Sequence, residues 1–152
     1  MRVVLATAVA LVALAPAAQA KIVVQESIAG VKVGMSAKQV REVLGAPRSV
    51  SYPKDEIQGS FKHYDYGLTD VFITRGTSGV VFNITTRSRA QRTASGIGVG
   101  STRKALQRAF PKAKCQNRYC SIGEARPGKT VTSFFLSATF RVRQVALGIV
   151  ID

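Results

Sequence analysis

The chain has 152 residues, with 22 Lys and Arg against 8 Asp and Glu, one His, two Cys and no Trp. That length fits one modest domain and excludes a large multidomain enzyme. Apolar residues at 46% exclude a disordered chain, and a formal charge of +14 points toward anionic partners.

Met1-Arg2 places one positive charge before an almost unbroken apolar run from Val3 to Ala15. Pro16 breaks that run, and Ala18-Gln19-Ala20 has the small-x-small form that a signal peptidase accepts. At 13 residues the run falls short of the ~20 that a bilayer-spanning helix needs. Residues 1–20 therefore read as a signal peptide, with a retained anchor as the alternative. The expected product is exported and soluble: secreted, periplasmic or associated with the cell envelope. With no Cys near the cleavage point, lipid attachment at a new N-terminal cysteine is not expected.

Residues 30–47 read GVKVGMSAKQVREVLGAP. Gly34 suits a tight turn into a short helix capped by Ser36, and Gln39 three residues later completes a capping box. Val40, Val43 and Leu44 recur at helical spacing, and Gly45 and Pro47 stop the helix. Strands follow at Val50–Tyr52, Ser60–Tyr66, Asp70–Thr74 and Val80–Thr86, with turn signals at Gly67 and Thr77-Ser78-Gly79. Residues 96–113, GIGVGSTRKALQRAFPKA, then repeat the first pattern at an offset of 66. Gly30, Val33, Gly34 and Lys38 match Gly96, Val99, Gly100 and Lys104. Thr102 is the second cap, Leu106, Ala109 and Phe110 form the apolar stripe, and Pro111 ends it. Strands are expected at Tyr119–Ile122, Val131–Ser137 and Arg141–Ile151. Two unrelated amphipathic helices remain the alternative to a duplication.

Short loops between the strands favour antiparallel pairing. The expectation is an α+β fold of two tandem units, 21–85 and 86–152, each too small to be more than marginal alone. They would join into one continuous antiparallel sheet with helices on one face and the other face open to water. Cys115 and Cys120 fall in the second unit. In an exported chain their close spacing reads as a disulfide stapling a local hairpin, free thiols being the alternative.

The run from Gly30 to Ser36, followed by Val40, Val43-Leu44-Gly45 and Pro47, resembles the motif of the SmpA/OmlA outer-membrane lipoproteins and the related β-lactamase-inhibitor-protein-like domains. In that superfamily a small helical pair precedes a few antiparallel strands, and the inhibitor proteins carry the unit twice. The resemblance implies non-enzymatic protein binding on an exposed concave sheet, with inhibition of a secreted enzyme as one form of it. Two departures stand out: the anchoring cysteine of the lipoproteins is missing, and aromatics are only 7% of the chain.

Catalytic constellations are thin. His63 and Asp65 share a strand face, which permits a His–carboxylate pair but equally a solvated surface pair. Gly96-x-Gly98-x-Gly100 lacks the third glycine of a dinucleotide fingerprint, and Pro127-Gly128-Lys129-Thr130 matches only the tail of a phosphate loop. No metal cluster, cofactor or nucleotide site is expected, nor is nucleic acid the expected partner.

The charge is uneven: residues 21–85 carry a net +2 (8 basic, 6 acidic), and residues 86–152 a net +11 (13 basic, 2 acidic). Arg103, Lys104, Arg108, Lys112 and Lys114, on or just after the second helix, form the candidate surface for an anionic lipid or wall polymer. Tyr64, Tyr66, Arg141 and Arg143 are the candidate contact residues of the open sheet. They would meet an extracytoplasmic protein partner.

Overall fold

The structure, a computed structural model, describes residues 21–56 and 59–151. The leader reading concerns residues 1–20, which lie outside the described residues. The elements, in chain order, are β1 (Ile22–Val23), β2 (Ser27–Ile28), α1 (Ala37–Leu44), β3 (Ser49–Ser51), β4 (Lys54–Asp55), β5 (Gly59–Asp65), β6 (Thr69–Thr74) and β7 (Val81–Thr86). Then come α2 (Arg103–Ala109), β8 (Lys114–Gln116), β9 (Tyr119–Ile122), β10 (Thr130–Leu136) and β11 (Val142–Ile149). The fold is α+β. Each unit contributes one helix, where the resemblance implied a helical pair. Among the described residues, no helix is long and apolar enough to cross a membrane.

Both helices begin as their sequences dictate. Ser36 accepts from the Gln39 backbone N–H while its own N–H donates to the Gln39 side chain, which completes the capping box. Thr102 accepts from Ala105 N–H at 3.1 Å. Ahead of each cap, Gly34 and Gly100 adopt φ of 89° and 95°, a region that L side chains avoid. Each glycine then binds the start of its own unit's last strand. Gly34 N–H donates to Val81 C=O at 2.8 Å, and Gly100 N–H to Val142 C=O at 2.7 Å. The return bonds, Val81 N–H to Met35 C=O and Val142 N–H to Ser101 C=O, are both 2.8 Å. The two repeated motifs thus make the same long-range contacts.

The sheet is antiparallel in the order β3-β5-β6-β7-β11-β10-β9-β8, with β4 pairing the start of β5. The second unit runs in reverse spatial order, so the two last strands, β7 and β11, lie side by side with Leu147 opposite Ile84. This gives an approximate two-fold relation through the β7–β11 seam.

Alternation decides which face is buried. Val71, Ile73, Ile84, Phe134, Val145 and Leu147 point to the helix side, each with no measurable exposure. Each helix adds one fully buried residue, Val40 in α1 and Leu106 in α2. Val43 departs from the expected stripe and is 45% exposed. The β1–β2 hairpin lies on the same side, where Ile22, Ile28 and Val31 join the core and Gln25 N–H donates to Thr132 Oγ1 at 2.7 Å. Both units therefore share one core, in which each fully buried aliphatic side chain contributes about 1.5–3 kcal/mol.

Candidate binding face

The face away from the helices is built by the alternate residues of the same strands. On β5 and β6 it carries Phe61, His63 and Asp65 against Thr74, Phe72 and Asp70. A register shift between Phe72 and Ile73 marks a bulge in the β6–β7 pairing, and Phe82 joins Phe61 and Phe72 there. On β10 and β9 the same face carries Phe135 opposite Tyr119 and Ser133 opposite Ser121. At the seam it carries Thr85, Ala146 and Gly148.

The first-unit flank is a packed aromatic group. His63 lies flat on Phe72, with centroids 4.9 Å apart and planes 7° apart. Phe61 meets Phe72 and Phe82 edge-on at 5.8 and 5.7 Å. A polar chain crosses beside it. His63 Nε2 is 2.8 Å from Asp70 Oδ1, and Ser51 Oγ is 3.3 Å from His63 Nδ1. With the Nε2 proton directed at the carboxylate, Nδ1 accepts from the Ser51 hydroxyl. Asp70 Oδ2 also meets the Thr85 hydroxyl and Arg87 Nη2, both at 3.5 Å. Ser51, His63 and Asp70 are the residue types of a hydrolytic triad. Here, however, Asp70 is shared among three donors, His63 is held against a ring, and Ser51 is exposed near the sheet edge.

The second-unit flank pairs Tyr119 and Phe135 at 5.5 Å, and the Tyr119 hydroxyl is 2.9 Å from Ser133 Oγ. At the β10–β11 bulge, Arg143 lines a recess with Arg118, Tyr119 and Phe135. The corresponding bulge of the first unit has its own recess, formed by Phe61, Val80, Phe82, Asn83, Ile149 and Ile151. Asn83 Oδ1 is buried there without a hydrogen-bond partner among the described residues.

The four expected contact residues do not form one surface. Tyr64 is 4% exposed and belongs to the core on the helix side. Arg41 stacks over its ring at 5.3 Å and donates to its hydroxyl at 3.3 Å. Tyr66 packs beside it and donates to Gly45 C=O at the end of α1, 3.1 Å away. Burial, and next the neighbouring Tyr64, push the Tyr66 hydroxyl above its usual pKa, while Arg41 pulls the other way. Both tyrosines bury a ring and satisfy a polar tip at the helix, so they face inward while the phenylalanines pack against one another outside. Arg141 precedes β11 and donates to Gly100 C=O at 3.0 Å, bracing the loop before α2. Arg143 alone of the four lies on the open face. The His63–Asp65 pair does not form: both occupy that face, but His63 reaches across to Asp70, and Asp65 accepts from Gly67 N–H.

The basic residues divide by what their side chains already hold. Arg103 donates to Asn117 C=O and Cys115 C=O at 3.0 and 3.1 Å, tying α2 to the β8–β9 hairpin. Arg92 clamps Gly96 C=O and Val99 C=O. Lys104, Arg108, Lys112 and Lys114 are exposed, so four of the five candidate anion-binding residues are available. Cys115 and Cys120 are disulfide-bonded, facing each other across the hairpin.

No family model and no curated protein matches the sequence. Among solved structures, the chain resembles an extracellular protein containing an SCP domain from Bacillus anthracis, with TM-score 0.52 and 8% identity. That match covers 77% of this chain and 44% of the other, so the chain spans less than half that protein's length. A DUF4309-family protein from Bacillus subtilis matches with TM-score 0.46 and 14% identity, over 79% of this chain and 82% of that one. At such identities a likeness concerns the fold alone.

Proposed function

We propose that this chain is an exported, non-enzymatic binding module that takes a protein partner on its open sheet face. One observation carries the reading: five of the 11 aromatic residues (Phe61, Phe72, Phe82, Tyr119 and Phe135) lie on the side of the sheet away from the helices. Aromatic area without a covering layer is the usual substance of an interface centre. Export is supported by the leader pattern and by the disulfide, which persists in oxidising compartments. The two-unit layout and uncovered sheet also agree with the resemblance to inhibitor-type proteins, under which the partner is a secreted enzyme.

A second reading has its own support: Lys104, Arg108 and Lys112 on and after α2 are exposed and make no ion pair among the described residues, which suits an anionic lipid or wall polymer. Salt and mutation separate the two. Capture from secreted and envelope fractions is expected to survive high salt, to be lost in Phe61→Arg and Tyr119→Arg, and to persist in Lys104→Glu/Arg108→Glu. Capture that vanishes with salt and with the α2 charge reversal, yet tolerates both open-face substitutions, overturns the protein-binding reading.

A further inference from the structure

The two arginines that share the second-unit recess differ from most others in their unit. Arg92, Arg103 and Arg141 spend their guanidinium groups on backbone carbonyls, and Arg126 faces Glu124. Arg118 and Arg143 are exposed, and neither guanidinium has a hydrogen-bond or ion-pair partner among the described residues. Both nevertheless line one concavity, walled by Tyr119 and Phe135 and edged by Asn117 and Ser137. The β10–β11 bulge produces this placement, because the register shift turns Arg143 toward the face that carries Phe135. In the first unit the same bulge position holds Phe82, and the recess there is apolar.

We infer that the Arg118–Arg143 recess binds a carboxylate side chain on an acidic segment of the partner polypeptide. This inference rests on the open-face reading and gives the partner its chemistry. A guanidinium offers a planar fork of donors that a carboxylate fills with two parallel bonds. The unit holding the recess carries a net +11, so an acidic segment is drawn to it before contact. The occupant is a polypeptide rather than a free anion because of the second recess. At the opposite end of the seam, Phe61, Val80 and Phe82 offer an apolar site suited to an aliphatic or aromatic side chain. One protein surface supplies both kinds of group.

The test is selection of displayed short random peptides on the purified protein, followed by affinity measurement for the enriched sequences. The expected winners carry Asp or Glu next to an aromatic or branched aliphatic residue. Their affinity falls roughly tenfold in Arg143→Ala, falls less in Arg143→Lys, which keeps the charge but loses the fork, and falls by less than about twofold in Lys104→Ala/Arg108→Ala, which removes two charges of the unit outside the recess. No enrichment, winners without acidic residues, or equal losses in the α2 variant overturn the inference. Displacement of the peptides by phosphatidylserine vesicles but not by phosphatidylcholine vesicles also overturns it, by assigning the recess to headgroups. If instead a captured partner is lost in Phe61→Arg yet binds Arg143→Ala normally, the acidic segment is refuted and the open-face reading stands.

Discussion

In the first unit His63 lies on Phe72 and reaches Asp70; in the second, Tyr119 meets Phe135 and reaches Ser133. Each set occupies the same register, one residue before the bulge that opens the unit's last strand. On the helix side, the Val50–Tyr64 pair of β3 and β5 matches the Cys115–Cys120 pair of β8 and β9. Phe82 matches Arg143. The backbone frame is thus kept by glycines, caps and bulges, and the side chains mounted on it have diverged into one apolar and polar-bridged flank and one cationic flank. Under the proposed protein-binding role, this divergence suits one partner surface with two unlike ends.

The largest expected effect tests whether the units are thermodynamically separate. Phe134 is the largest fully buried side chain, and it belongs to the second unit. Phe134→Ala is expected to cost about 3–5 kcal/mol and to lower a single unfolding transition seen by probes in both units. Two separated transitions would show that the seam joins independent folding units. Replacing both cysteines by Ala is expected to cost about 2 kcal/mol, since the loop they close is short. Hydrogen exchange should then speed up in β8 and β9 while the first unit is unaffected. A double-mutant cycle on His63 and Asp70 is expected to give a coupling of about 1 kcal/mol, against about half that for Tyr119 and Ser133, where no charge assists the bond. Equal couplings would remove the electrostatic distinction between the flanks.

The smallest effect concerns the helix side. The Tyr66 pKa is raised on folding, so the stability it contributes is complete below the pKa of the unfolded chain and is lost as pH rises through the folded value. Tyr66→Phe should therefore flatten part of the alkaline fall in unfolding midpoint. The second unit has no tyrosine in the matching place, so an unchanged alkaline limb would contradict the role given to burial.

Much of this frame was legible in the residues. The strands rich in alternating apolar residues fall within a residue or two of their expected positions, and the Ser36 and Thr102 caps are where their side chains predict. The two-residue strands β1, β2 and β4 escape the sequence pattern, because a period of two cannot be read from so few residues. β8 was missed because Lys114-Cys115-Gln116 is a mostly polar edge. The phase of β5 is the consequential difference between the sequence pattern and the structure. Its tyrosines suggested exposure by their polar tips, yet Thr69, Val71 and Ile73 on β6 already imply that Asp70 and Phe72 face out. The tight turn at Gly67 then carries that phase to His63 and Phe61. The division of the arginines could not be read from sequence, because Arg103 and Arg141 act on carbonyls that are distant along the chain.

The seam has a further consequence for how the molecule comes into being. β11, which follows all the other described strands in the chain, occupies the middle of the sheet, between β7 and β10. Until it arrives, both neighbours present bare hydrogen-bonding edges, and the core faces of both units lack Val145 and Leu147. A product cut short before Val142 would lose the join between its halves and leave two adhesive borders in its place. The shared core therefore closes only once β11 is in place.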